Sequence, residues 1–146
     1  MKRIYVNEEW CLGCRLCEYY CSFAGTGEKD MARALKEKEI NPNIKVHSHQ
    51  NLSFAVSCRH CEESLCQKSC ITGALQEKNG VKVIDLDRCV GCYTCILVCP
   101  VGAIKVGADK VVQKCELCLE NTEAYPACVK GCPNAAIVYE ERDCLP

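Results

Sequence analysis

Aromatic side chains are scarce in this chain, with two Phe, one Trp and six Tyr among 146 residues. So few large rings cannot fill an extended conventional core. No apolar run approaches the roughly 20 residues that cross a bilayer as a helix, so no membrane span is expected. Neither sign of charge dominates: 18 Lys and Arg stand against 19 Asp and Glu, for a formal charge of −1. The basic footprint of a nucleic-acid binder is therefore missing. The segment Met1-Lys2-Arg3-Ile4-Tyr5-Val6-Asn7 has no apolar stretch behind its basic residues, and a twin-Arg signal is absent. The expectation is a cytoplasmic protein whose thiols stay reduced. G-x-G-x-x-G, P-loop and G-x-S-x-G motifs are all lacking, as is any recognisable flavin or nicotinamide site. Low-complexity linkers are missing too.

Cysteine, by contrast, occurs 17 times. At that density cysteine chemistry sets the fold, as cross-links or as metal ligands. Sixteen of the cysteines sort into four quartets. The first is Cys11, Cys14, Cys17 and Cys21. The second is Cys58, Cys61, Cys66 and Cys70. The third is Cys89, Cys92, Cys95 and Cys99, followed by Pro100. The fourth is Cys115, Cys118, Cys128 and Cys132, followed by Pro133. Cys144 is left over.

The quartets belong to a longer internal repeat. The last three end alike, in Cys70-Ile71-Thr72-Gly73-Ala74-Leu75, Cys99-Pro100-Val101-Gly102-Ala103-Ile104 and Cys132-Pro133-Asn134-Ala135-Ala136-Ile137. Strand-like runs at Leu52 to Val56, Val81 to Leu86 and Val106 to Val112 lead into quartets. Lys78-Asn79-Gly80 and Gly107-Ala108-Asp109-Lys110 read as turns. The unit is thus strand, cysteine loop, short helix carrying the last Cys, then strand. Between the first two quartets, Glu28 to Glu39 is rich in helix formers, with Met31, Ala34, Leu35 and Lys38 at helical spacing. This helix either docks a partner or covers the clusters.

Each iron of a cubane [4Fe–4S] cluster takes one thiolate. Cysteines at x2, x2 spacing reach three corners of one cube, and the fourth corner needs a Cys from elsewhere. The C-x2-C-x2-C-x3-C-P run is the pattern in which the last Cys serves the neighbouring cluster. Structural zinc prefers two C-x2-C pairs separated by a dozen or more residues. Only the fourth quartet, with its nine-residue gap, comes near that spacing. A structural zinc protein and a disulfide scaffold are the lesser alternatives, and a thioredoxin-like role lacks its βαβ frame. Four [4Fe–4S] clusters are the reading that the spacing supports best.

On these residues the sequence resembles the four-cluster, ferredoxin-like electron-transfer subunits that accompany molybdenum or tungsten enzymes such as formate dehydrogenase and dimethyl sulfoxide reductase. The flanks Cys58-Arg59-His60-Cys61 and Cys70-Ile71-Thr72-Gly73-Ala74 look most like the short members. Those serve carbon monoxide dehydrogenase and tungsten aldehyde oxidoreductases. Ser22 and Ile71 depart from the usual Pro after the fourth Cys. The resemblance implies an α+β fold of two nested ferredoxin-like modules, with short hairpins and short helices around the clusters. The outer module would take residues 1–50 and 112–146, with the helical insertion near 28–40. The inner one would take residues 51–111. It also implies crossed ligand sets: Cys11, Cys14 and Cys17 with Cys132; Cys115, Cys118 and Cys128 with Cys21; Cys58, Cys61 and Cys66 with Cys99; Cys89, Cys92 and Cys95 with Cys70.

A cluster with four Cys ligands has no open iron, so the expected role is a relay of single electrons rather than a catalyst. The expected partner is a large catalytic oxidoreductase subunit built around tungsten, molybdenum or nickel–iron. A flavin- or NAD-linked subunit or a ferredoxin would stand at the other end, and the chain could recur in several copies within one assembly. A free polyferredoxin shuttle is the competing reading. With its clusters the chain would hold a charge of about −9, so cationic patches on partners would steer it. Arg15 and Lys114 lie in or beside ligand loops and could raise a cluster's potential, but the simpler expectation is two solvated surface charges. His60 is expected to find a backbone or solvent partner, His47 and His49 to share the face of a surface strand, and Cys144 to be spare. Trp10 and Tyr5 are expected to shield the first cluster.

Overall fold

The computed structural model describes residues 1–36, 39–120 and 125–142. Cys144 and Lys38 lie outside the described residues. The chain divides into two compact units, one of Met1–Ser57 with Leu117–Pro146 and one of Cys58–Glu116. Their secondary structure is short throughout, as expected of an α+β, ferredoxin-like chain whose loops are tied to something other than a large core.

The first unit holds two antiparallel strand pairs, one of them a hairpin. Strand β1 (Arg3–Val6) pairs with the last strand, β8 (Ile137–Glu140), with Ile4 opposite Tyr139. Strand β2 (Ile44–His49) pairs with β3 (Leu52–Ser57), with Val46 opposite Ala55. Alternation along β2 buries Ile44 and Val46 and leaves Lys45 and His47 in water, the period of two that a half-buried strand requires. His47 and His49 sit on this strand as expected, and the His47 ring stacks on Phe54 at 5.8 Å between centroids. Helix α1 (Leu16–Ala24) packs on α5 (Ala127–Lys130). The approach is so close that a Cβ on Gly131 would collide with the Tyr20 ring.

The helix expected over Glu28–Glu39 is shorter. Helix α2 spans only Met31–Leu35, capped by the Asp30 carboxylate, which accepts from the Arg33 N–H at 2.9 Å. Ala34 is its one buried residue. Such a narrow apolar stripe gives little packing to extend a helix, and short helices depend on packing.

The second unit is built of hairpins β4 (Leu75–Lys78) with β5 (Val81–Ile84) and β6 (Lys105–Val106) with β7 (Val112–Gln113). Asn79 and Gly80 both take positive φ, 51° and 79°, as the two-residue turn between twisted strands demands. The run Val106 to Val112 is therefore not one strand. Gly107 opens a 3₁₀ turn over Ala108–Lys110, in which Asp109 and Lys110 lie at φ 52° and 63°. Helices α3 (Leu65–Lys68) and α4 (Thr94–Val98) pack together. One buried cluster is Leu75, Cys95, Ile104 and Val112, and Ala74, Val81 and Val83 are buried as well. Cys66, Cys70, Cys89 and Cys99 lie against that cluster beside Ile84, Tyr93 and Ile96. Thiols thus occupy positions that aliphatic side chains fill in an ordinary small domain.

The short helices carry the third Cys of each quartet, not the last: Cys17 on α1, Cys66 on α3, Cys95 on α4 and Cys128 on α5. Only on α1 does the helix run on through the fourth, Cys21. Cys99 caps α4 in an extended conformation, φ −73° and ψ 112°. The following Pro100 excludes helical geometry there. Ser22 after Cys21 imposes no such stop, and α1 continues to Ala24.

Candidate iron–sulfur centres

Two quartets share one local construction. A 3₁₀ turn, Glu8–Trp10 or Leu86–Arg88, leads into the first Cys. Each turn is capped by a side chain just before it: Asn7 accepts from the Glu9 N–H at 3.1 Å, and Asp85 from the Asp87 N–H at 3.2 Å. The residue before the second Cys then turns left-handed in all four quartets, Gly13 at φ 67°, His60 at 47°, Gly91 at 66° and Leu117 at 53°. Two of these four are glycine, which takes such φ without strain. After the second Cys, Arg15 and Tyr93 also sit near φ 60° and begin α1 and α4. In the first and third quartets these reversals bring the three cysteines of the loop to the wall of one cavity.

At Gly91 a Cβ would run into the Lys110 carbonyl oxygen. A Gly91→Ala chain should lose about 1–3 kcal/mol of stability from left-handed strain and this backbone collision. A thermal melt of the loaded protein beside wild type measures it.

In the first unit, Cys11, Cys14, Cys17 and Cys132 line one cavity together with Trp10, Arg15, Val46 and Ile137. Its empty space is about 320 Å³, part of it open to solvent. In the second unit, Cys89, Cys92, Cys95 and Cys70 line another of about 340 Å³, with Leu75, Ile84 and Tyr93. Each cavity therefore gathers three cysteines of one quartet and the last cysteine of a different one. Each also has one exposed cysteine, Cys14 or Cys92, and one buried cysteine, Cys17 or Cys95. Cys58, Cys61, Cys66 and Cys99 form a third neighbourhood within the second unit: the Cys58 thiol feels Cys61 and Cys99, and the Cys66 thiol feels Cys58 and Cys99. Of the remaining four, Cys115 and Cys128 are buried, and Cys21 accepts the Asn43 N–H at 3.2 Å.

The electrostatics of the sulfurs divide in two. Burial, then the neighbouring Glu18 carboxylate, push the Cys17 thiol up to about 12. Burial also raises Cys58, Cys66 and Cys95. A proton must leave each such thiol when metal binds, and metal supplies the positive charge that burial withholds. Backbone N–H groups act in the other sense. At Cys70 burial is outweighed by hydrogen bonds from Leu75, Thr72 and Ala74, and the thiol lies below its ordinary value. Thr94 lowers Cys92 through its backbone N–H and its hydroxyl. Ala103 N–H points at the Cys99 sulfur at 3.4 Å. Such donors stabilise sulfur in its anionic form. Soft thiolates with N–H donors around a cavity are the donor set that iron–sulfur clusters use. Among the described residues, no three Cys, His, Asp or Glu side chains converge to hold one metal ion. The cysteine-lined cavities and the N–H donors at their sulfurs are what fit a cluster.

A family model described as a 4Fe-4S dicluster domain matches residues 50–142. The chain belongs to this family. Among known relatives, the "Iron-sulfur protein" of Rhodospirillum rubrum is 35% identical in an alignment that covers 92% of this chain and 79% of the relative. The "Electron transport protein HydN" of Escherichia coli strain K12 is 33% identical in an alignment that covers 97% of this chain and 89% of the relative. A chain in the solved active site complex BamBC of benzoyl coenzyme A reductase, with benzoyl-CoA, matches at a TM-score of 0.51 and 23% identity, over 97% of this chain and 80% of that one. That likeness is one of fold. This 4Fe-4S dicluster-domain protein is a ferredoxin-like iron–sulfur electron-transfer protein, and [4Fe–4S] is its cluster type. Among its described residues no helix is long and apolar enough to cross a membrane.

Several surrounding residues differ from expectation. Lys114 is buried, 2% exposed, so it is not a solvated charge. Arg15 is exposed, and there the simpler expectation holds. Trp10 borders the first cavity with half its surface in water, its carbonyl accepting from Asn134 Nδ2 at 2.7 Å. Tyr5 instead lies under the Arg142 guanidinium, 4.3 Å from the ring centroid. The buried His60 accepts the Lys82 N–H on Nδ1 at 3.1 Å, the backbone partner expected of it. Sequence reasoning missed two carboxylates, Glu18 and Glu116. They accept the Val46 and Ile84 N–H groups, each at 2.7 Å. The available signal was an acid directly following a ligand-spaced Cys, at Cys17-Glu18 and Cys115-Glu116.

Proposed function

We propose that this protein relays single electrons through four [4Fe–4S] clusters held by its sixteen quartet cysteines, between a catalytic oxidoreductase subunit and a second carrier or subunit. The observation that carries the reading is the cavity lined by Cys11, Cys14, Cys17 and Cys132. Three thiols curl from one loop, and the fourth arrives from the far end of the chain. The same crossing recurs with Cys89, Cys92, Cys95 and Cys70, and the grouping of Cys58, Cys61, Cys66 and Cys99 follows it. Cys21, Cys115, Cys118 and Cys128 complete the count. On this reading the chain is two ferredoxin-like modules, one inserted in the other.

A bound cluster supplies reversible one-electron exchange. The protein's own groups do the rest. Four thiolates per cluster leave no coordination position for a substrate, so the chain itself is not a catalyst. The left-handed residues before the second cysteines aim the loops, and the N–H groups of Thr72, Ala74, Thr94 and Ala103 hold negative charge at sulfur. Leu75, Ile104 and Val112 keep water from the second unit's thiols. The partner is a large subunit with a tungsten, molybdenum or nickel–iron site, opposite a flavin- or NAD-linked subunit or a ferredoxin. The compartment is the cytoplasm, where thiols persist.

Anaerobic purification with iron and sulfide analysis tests this. The expected content is about sixteen irons and about sixteen acid-labile sulfides per chain. A colourless preparation with about one zinc per quartet would end the reading. A large redox enzyme that copurifies supports the subunit role, whereas an uncomplexed monomer favours a polyferredoxin shuttle.

A further inference from the structure

Lys114 directly precedes Cys115, yet its side chain turns into the second unit and is 2% exposed. Its Nζ donates to the Cys115 carbonyl at 2.6 Å and to the Lys82 carbonyl. Both acceptors are neutral. The other charged groups nearby are otherwise engaged: the Lys82 ammonium pairs with Glu77, and the Glu116 carboxylate accepts the Ile84 N–H. The residue that Lys114 grips also touches a ligand loop. The Lys82 N–H donates to Nδ1 of His60, which lies between Cys58 and Cys61. The ammonium is therefore one peptide unit behind that loop. A buried cation with only carbonyls as hydrogen-bond partners is costly unless negative charge lies near.

We propose that Lys114 is a fixed buried positive charge that raises the reduction potential of the cluster held by Cys58, Cys61, Cys66 and Cys99, making it an electron-holding position in the relay. The proposal rests on the ligand reading above. Reduction transfers one electron from a one-electron donor, which is oxidised, and adds one negative charge at this site. An ammonium shielded from bulk water favours the more negative state. Lys114 acts through the cysteines and is a positioning charge.

Lys114→Gln, Lys114→Met and Lys114→Arg chains, purified anaerobically with their clusters, test this by dithionite titration followed by electron paramagnetic resonance. The glutamine amide can still donate to the two carbonyls, and methionine matches the volume. The centre is identified as the one missing from a Cys58→Ala chain. In both neutral variants its reduction equilibrium should shift at least tenfold toward the oxidised form, about 59 mV for one electron. The centres of the Cys11 and Cys89 loops should stay in place, and Lys114→Arg should stay near wild type. Full iron content with every potential unchanged overturns the proposal. So does loss of iron from this centre in both neutral variants, which makes Lys114 a structural staple. A Cys58→Ala chain that keeps all its iron sinks the ligand reading instead.

Discussion

A Cys132→Ala chain should lose the centre of the first quartet, not one belonging to its own. Iron content should fall by about a quarter. The informative measurement is a pair of double variants. Cys11→Ala with Cys132→Ala should lose no more iron than either single change, because both remove the same centre. Cys115→Ala with Cys132→Ala should lose about twice as much, because they remove two. The reverse pattern would show that each quartet closes on itself. Cys132 and Cys11 line one cavity, and the two stretches bearing them are also tied at the backbone. The Asn7 N–H donates to the Ala136 carbonyl at 2.7 Å, just before Cys11 and just after Cys132. The same test applies to Cys70 with Cys92, which share the second cavity.

Removing the clusters should abolish cooperative folding. Anaerobic treatment with acid and chelator should erase the sharp thermal transition and most of the far-ultraviolet circular dichroism, and iron with sulfide should restore both. The elements are too short to stand alone. Helices α3 and α5 have four residues each, and β6 and β7 have two. Isolated helices below about 12 residues and lone hairpins are marginal in water. Ordering each residue costs roughly 1–2 kcal/mol. Against that, the second unit buries only a handful of aliphatic side chains larger than alanine, Leu75, Val81, Val83, Ile104 and Val112. Raised thiols such as Cys17 show that without metal these positions favour the protonated form, so metal binding and folding are linked. A metal-free chain that still melts cooperatively near the loaded temperature would contradict this account.

Much of the local structure was legible because periodic residues and spacing encode it directly. Lys78-Asn79-Gly80 read as a turn and is one, since Asn and Gly accept positive φ. The position of the helices relative to the cysteines was read one ligand too late. The x3 spacing mimics a helical i, i+4 pair, whereas Pro100 and Pro133 forbid helix at the cysteine before them. The shortness of α2 was hidden because propensity alone cannot show that only Ala34 of this helix becomes buried. Lys114 was hidden for a different reason. A lysine beside a ligand loop has the same local sequence whether its stem turns outward or inward. Only the meeting of the Lys82 and Cys115 carbonyls, 33 residues apart in sequence, gives it a reason to turn inward. The crossed grouping of cysteines is equally non-local, and spacing alone says only that a fourth thiolate must come from elsewhere.

Cys14 and Cys92 give each of the two cavities a single unguarded corner. An oxidant approaching from outside, whether a partner's cofactor or dioxygen, finds these two residues the most exposed of their groups. The same corners that make contact useful also make air damaging. Any protein surface that seals them would extend the lifetime of the iron beneath while serving as the route for its electrons.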